Sequence, residues 1–133
     1  MANHEMPLPI RLWVEALRSG KYRQTTQCLH DRDGYCCLGV LCEVAIDNGV
    51  KVKVSEGGGT TLYGGQEEKL PESVQEWAGL HDNLGYTNGF ESIFINSDPY
   101  DNLVKANDSG VAFASIADAI ETQWPKLVKE ETK

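Results

Sequence analysis

The stretch GYCCLGVLC at residues 34–42 restricts this chain more than any other. One glycine opens it, a second sits inside it, and every other position is apolar, aromatic or a thiol. Such a run belongs in a core. Leu38, Leu41, Cys42 and, just beyond, Ala45 recur at the spacing of one helical face. The reading is a hairpin-to-helix joint. Asp33-Gly34 is a dipeptide of the kind that closes hairpins, and it sets residues 28–30 beside 35–37. The helix then covers 38–46 and stops at Asn48-Gly49. Gly39 inside that helix costs about 1 kcal/mol relative to alanine, so a neighbour packed closely against it is expected.

The rest of the chain alternates helices with hairpins. Ile10, Trp13, Val14 and Leu17 follow the i, i+3, i+4, i+7 pattern, with Pro9 at the start and Gly20 past the end, which predicts a helix over 10–18. Residues 21–27 are polar and read as extended. Val alternates with Lys over 50–54, a half-exposed strand. Gly57-Gly58-Gly59 follows as a turn or a flap over a ligand, and 60–63 is its partner strand. Pro71 begins a short helix to Ala78. Gly79 suits the left-handed position after it, with Leu80 folding back on Val74. Residues 90–95 read as a strand, with a turn at Asp98-Pro99 and another over Asn107-Asp108-Ser109-Gly110. Phe113, Ile116, Ala117, Ile120 and Trp124 then mark a final helix that Pro125 ends. Trp13, Trp77 and Trp124 lie on apolar faces and are expected in the core.

The fold class is therefore α+β: three to four helices packed on a small antiparallel sheet of hairpins. The 133 residues form one domain, with frayed termini at 1–8 and 126–133. No apolar run approaches the roughly 18 residues of a membrane span, and residues 1–9 lack the pattern of a secretory signal. No membrane partner and a cytoplasmic location are expected. Twenty acidic residues against twelve basic give a net charge of −8, which disfavours duplex nucleic acid. The four cysteines, Cys28, Cys36, Cys37 and Cys42, then read as reduced thiols.

Several blocks of the chain occur in a familiar order. They are a helix with Trp13 and Leu17, then Lys21-Tyr22-Arg23-Gln24, then GYCCLGVLC. LPESVQEWAGL at 70–80, Asn107-Asp108-Ser109-Gly110 and FASIADAIE at 113–121 follow. This order resembles a family of small accessory proteins of tailed bacteriophages. One departure is Ala106, where the family usually has leucine before Asn-Asp. The resemblance implies a phage origin, action in the host bacterial cytoplasm and an accessory role. Small phage accessory proteins commonly disarm host defences, some by binding a nucleotide immune signal and withholding it without chemistry.

The residues offer five constellations. Cys36 and Cys37 lie near a helix start, where the macrodipole lowers a thiol pKa, and His30 or His81 would be the base of a thiol enzyme. Against this, Cys37 sits in an apolar run. Cys28, His30, Cys36 and Cys37 could meet across the hairpin, yet their spacing is not that of a zinc knuckle. No phosphate-loop motif is present. Lys21, Tyr22, Arg23 and Gln24, with Arg18 one turn earlier, combine cations for phosphate, a ring for stacking and an amide for a base edge. Asn107 and Asp108 add donors and acceptors on a rim. The expected ligand-binding set is thus Arg18, Lys21, Tyr22, Arg23, Gln24, Asn107 and Asp108. It has no catalytic group, metal or cofactor. The expected function is non-catalytic sequestration of a small phosphate-bearing nucleotide of the cyclic oligonucleotide or cyclic ADP-ribose class. A homodimer or higher homo-oligomer is expected, since small binders often build pockets at subunit contacts. The alternatives are an acidic inhibitor that blocks a host defence enzyme directly, and a thiol-dependent enzyme or small zinc protein.

Overall fold

A computed structural model of the chain describes residues 6–129. Helix α1, Leu8–Arg18, buries Ile10, Trp13, Val14 and Leu17, the four positions its periodicity selects. Strands β1, His30–Asp31, and β2, Gly34–Tyr35, form a hairpin that delivers the chain into α2, Cys37–Asp47. Eight of the eleven residues of α2 are buried. The one-sided helix expected from its sequence is instead the central post of the fold, enclosed by α1 and by α3 (Glu72–Ala78) and α4 (Leu103–Asp108). The Trp13 indole N–H donates to the Cys37 carbonyl at 2.9 Å and pins α1 to this post.

Strands β3, Val54–Gly57, and β4, Thr60–Tyr63, make the second hairpin. The two hairpins join where Asp31 faces Thr60, giving an antiparallel sheet in the order β2-β1-β4-β3. Two details differ from the sequence expectation. The first reversal is at Arg32-Asp33, not Asp33-Gly34. The Asp31 carboxylate accepts the amides of Asp33 (2.8 Å) and Gly34 (3.2 Å), so the turn closes one residue early and Gly34 enters β2. Strand β3 begins at Val54 rather than covering 50–54, because Val50 and Val52 pack against the core while the four paired residues are exposed. Gly58 and Gly59, both at positive φ, close the second hairpin.

Gly79 adopts φ 74° after α3, and the Leu80 amide reaches back to the Gln75 carbonyl, the expected helix stop. A 3₁₀ turn, Asn88–Phe90, occupies the start of the strand expected over 90–95. Strands β5, Ile93–Ile95, and β6, Asp98–Tyr100, form a separate hairpin. Its turn is Asn96-Ser97, both left-handed, so Asp98-Pro99 is strand and not turn. Asn102 caps α4 through the Lys105 amide at 2.7 Å, and Asn107 lies inside that helix instead of in a turn. Helix α5, Phe113–Gln123, buries Phe113, Ile116, Ala117, Ala119 and Ile120 and runs into a 3₁₀ turn holding Pro125. Trp13 is fully buried; Trp77 and Trp124 are partly buried against the same core.

The described residues thus form an α+β fold with five α-helices, the extra one being α4. Of the termini expected to fray, residues 1–5 and 130–133 lie outside the described residues. Met6 and Leu127 are buried and Val128 pairs with Leu80, so the described part of each end is anchored. No helix among the described residues is long and apolar enough to cross a membrane.

Candidate functional site

The residues singled out in the sequence do not form one cluster. Arg18 is engaged: its guanidinium meets Asp118 and Glu121 of α5, each at 2.6 Å, and ties α1 to α5. Hydrogen bonds to Glu121 and Asp118 raise its already high pKa. The Gln24 amide donates to Asn107 Oδ1 (2.9 Å) and to the Val111 carbonyl (2.8 Å). Asn107 is fully buried. Its Oδ1 also accepts the Cys37 amide at 3.1 Å, and its Nδ2 donates to the Thr25 carbonyl at 2.8 Å. It is a structural hub and not part of a rim. Asp108 accepts the Gln27 amide at 2.8 Å and lies on a different hollow from Lys21. Lys21, Tyr22 and Arg23 keep exposed or half-exposed side chains.

Around Tyr22 the hairpin builds an aromatic ledge that the sequence reading missed. Lys21 Nζ lies 5.4 Å from the Tyr22 ring centre. Tyr22 meets Tyr35 edge-on, with centroids 5.1 Å apart. Tyr35 stacks on His30 at 3.8 Å, nearly parallel. His30 Nδ1 lies 3.0 Å from the Tyr63 hydroxyl, and that hydroxyl donates to Glu43 at 2.6 Å. Burial and then the Glu43 hydrogen bond push the Tyr63 hydroxyl well above the usual tyrosine range, so it stays protonated. Burial, followed by the charges of Asp47 and Glu43, raises Tyr22; burial, followed by Glu43 and Tyr22, raises Tyr35. An open hollow of about 290 Å³ adjoins the ledge between α1 and α2, lined by Lys21, Tyr22, Leu12, Glu15, Asp47 and Asn48 among others. The signal for the ledge was the pairing of His30 with Tyr35, which the expected placing of residues 28–30 beside 35–37 already held. The stacking of the two rings and their meeting with Tyr22 and Tyr63 were not read from it.

A larger hollow, about 380 Å³, lies elsewhere and is lined by Gln27, Cys28, Cys36, Glu67, Glu68, Val104 and Asp108. Its carboxylates make it unfit for phosphate. Two thiols face it. Burial, then the hydrogen bond to Asp31, pushes Cys28 up to about 12. Cys36 caps α2 by accepting the Gly39 amide, yet burial outweighs those amides and carries its thiol up to about 11. Burial also raises Cys37 and Cys42. The helix start therefore does not produce the low-pKa thiol that a thiol enzyme would need. Among the described residues no group of three or more His, Cys, Asp or Glu is arranged to hold a metal ion. His30, Cys28 and Cys36 each turn to a different partner. Half-exposed Cys28 should resist iodoacetamide at pH 7.5 and react faster at each step toward pH 12, because only the thiolate attacks. Mass spectrometry of the native protein reads this directly, and rapid labelling at pH 7.5 would refute it.

A family model described as "Domain of unknown function (DUF8296)" matches residues 10–124, a span that holds all of these groups. Neither a curated protein nor a solved structure matches the chain.

Proposed function

The chain belongs to the DUF8296 family, and we propose that it is a phage anti-defence protein that binds a small nucleotide-type host immune signal and withholds it unchanged. The observation that carries this reading is the array Lys21–Tyr22–Tyr35–His30 beside an open hollow. A nucleotide offers a flat base, sugar hydroxyls and phosphate. The ledge offers rings for stacking, Asp47 and Asn48 for hydroxyls, and Lys21 for phosphate. Glu15 and Asp47 in the lining of the hollow repel phosphate, so its oxygens belong beside Lys21 and along the ledge. The site proposed here keeps Lys21 and Tyr22. It leaves out Arg18, Gln24 and Asn107, whose polar groups serve the fold, Asp108, which lines the other hollow, and Arg23, which does not line this one. A second copy of the chain would close the open side of the hollow, which is where a homodimer enters the proposal. The phage setting rests on the order of sequence blocks.

The test is a panel of cyclic di- and trinucleotides and cyclic ADP-ribose isomers, scored by native-gel shift and by recovery of the ligand after heating. A member that binds and returns intact supports sequestration. One that returns altered makes the protein an enzyme, and a panel with no binder ends the reading. Tyr22→Ala is expected to weaken binding about tenfold or more, from the loss of roughly 1–3 kcal/mol of stacking.

The acidic hollow favours a second reading. Glu67, Glu68 and Asp108 at one opening suit a basic segment of a host enzyme, which the chain would block directly. That reading expects a salt-sensitive protein complex and no small ligand.

A further inference from the structure

The Tyr63 hydroxyl has one proton, and it points at Glu43. The oxygen of Tyr63 must then accept from His30, so the imidazole carries its hydrogen on Nδ1. Tyr63 is fully buried and Tyr35 holds the ring face-on, so neither the tautomer nor the ring plane is free to change. That leaves Nε2 as the variable atom. It makes no hydrogen bond with any described residue, and His30 is half-exposed at the end of the ledge opposite Lys21. The titratable groups that meet His30 are Tyr35 from β2, Tyr63 from β4 and, through the Tyr63 hydroxyl, Glu43 from α2. Tyr22 and Lys21 lie one ring further out. The neighbouring Asp31 carboxylate is turned away to Thr25, Cys28 and the turn amides.

We infer that His30 is the second phosphate contact of this site, meeting an anionic oxygen through Nε2–H and taking up one proton as the ligand binds. The inference rests on the nucleotide-binding reading above and adds to it a residue and a proton. Protonation at Nε2 leaves every hydrogen bond of the chain Glu43–Tyr63–His30 in place, because the new proton enters at the unpartnered atom. A phosphate oxygen then gains a charge-assisted hydrogen bond where the neutral ring has only a lone pair to offer. Lys21 and His30 at the two ends of the ledge would grip two phosphate groups with the rings between them.

Two measurements test this. The first uses the full chain alone at pH 8.5, with nitrogen NMR of its histidine side chains. His30 is expected as the Nδ1–H tautomer with a bare Nε2, and the opposite tautomer overturns the inference. The second titrates cyclic di-AMP and cyclic ADP-ribose at pH 5.5 and 8.5. Binding is expected to be about tenfold tighter at pH 5.5, since a ligand that prefers the protonated ring binds better where that form is populated. His30→Gln, which can still donate to Tyr63, is expected to bind weakly with the pH dependence gone. If either probe binds in a Tyr22-dependent way but equally at both pH values, His30 is not a phosphate contact and the sequestration reading survives. If neither probe binds at either pH, the inference falls, and the sequestration reading falls with it when the rest of the panel also fails to bind.

Discussion

Asn107→Ala is expected to destabilise the protein by about 4 kcal/mol. Asn107 is fully buried and ties α4 to two segments far earlier in the chain, Gln24-Thr25 and Cys37 at the start of α2. Its removal orphans the Cys37 amide in the first turn of α2 and the Thr25 carbonyl, and each such buried group costs about 1–3 kcal/mol. It also takes a partner from the Gln24 amide. A domain of this size is stable by only about 5–15 kcal/mol, so the variant should stand near unfolding at 25 °C. Urea denaturation measures it: with a slope of about 2 kcal/mol per molar, the midpoint should fall by roughly 2 M. A loss below about 1 kcal/mol would show that the hub is not a hub. If stability were unchanged and nucleotide binding vanished, Asn107 would be the ligand residue that its sequence context suggested.

What was legible in the sequence was whatever depends on near neighbours along the chain. The buried faces of α1 and α5 follow from a period of three to four residues, and the stop at Gly79 from one glycine and one leucine. Asn107-Asp108-Ser109-Gly110 has the composition of a turn, and Gly110 does end a helix at φ 93°. Nothing local says that Asn107 faces inward to a glutamine 83 residues earlier. Arg18 looked available because its two carboxylates are 100 and 103 residues away, one turn apart on α5. The expected placing of residues 28–30 beside 35–37 already faced His30 with Tyr35, but Tyr22 and Tyr63 reach the same ledge from other parts of the chain, and no local pattern places them there. The Asp31 side chain that fixes the turn gave a weaker signal than the Asp33-Gly34 pair beside it. Function was the least legible part, because the groups of the proposed site mostly lie outside the distinctive motif: Lys21, Tyr22 and His30 flank it, and only Tyr35 falls within it.

Gly39→Ala gives the other large expected loss, and here two effects of opposite sign compete. Helix propensity alone favours alanine by about 1 kcal/mol. The space does not exist, however. A β-carbon on Gly39 would lie 1.8 Å from the Leu29 carbonyl oxygen and 2.8 Å from its carbon. Those are backbone atoms, so no rotamer change relieves the clash. Leu29 is fully buried, its carbonyl accepts the Cys36 amide at 3.0 Å, and its own amide donates to Glu67 at 2.8 Å. Moving it breaks both bonds and opens the core. We expect a loss of about 3–5 kcal/mol or no folded protein, beyond the usual 1–3 kcal/mol of overpacking. Gly34 meets the same constraint against the Arg23 carbonyl at 2.1 Å, so each glycine of GYCCLGVLC admits a neighbouring backbone. Gly49→Ala is the control: no neighbour lies within 4 Å, and only its left-handed φ of 92° opposes the change, at about 1 kcal/mol. The loss at Gly39 also reaches the ledge, because Leu29 precedes His30. Any Gly39→Ala protein that folds should carry His30 away from Tyr63, and the Nδ1–H signal should shift with it. Should Gly39→Ala instead raise stability by about 1 kcal/mol, helix propensity has won. In that case the Leu29 backbone does not rest on Gly39 as described.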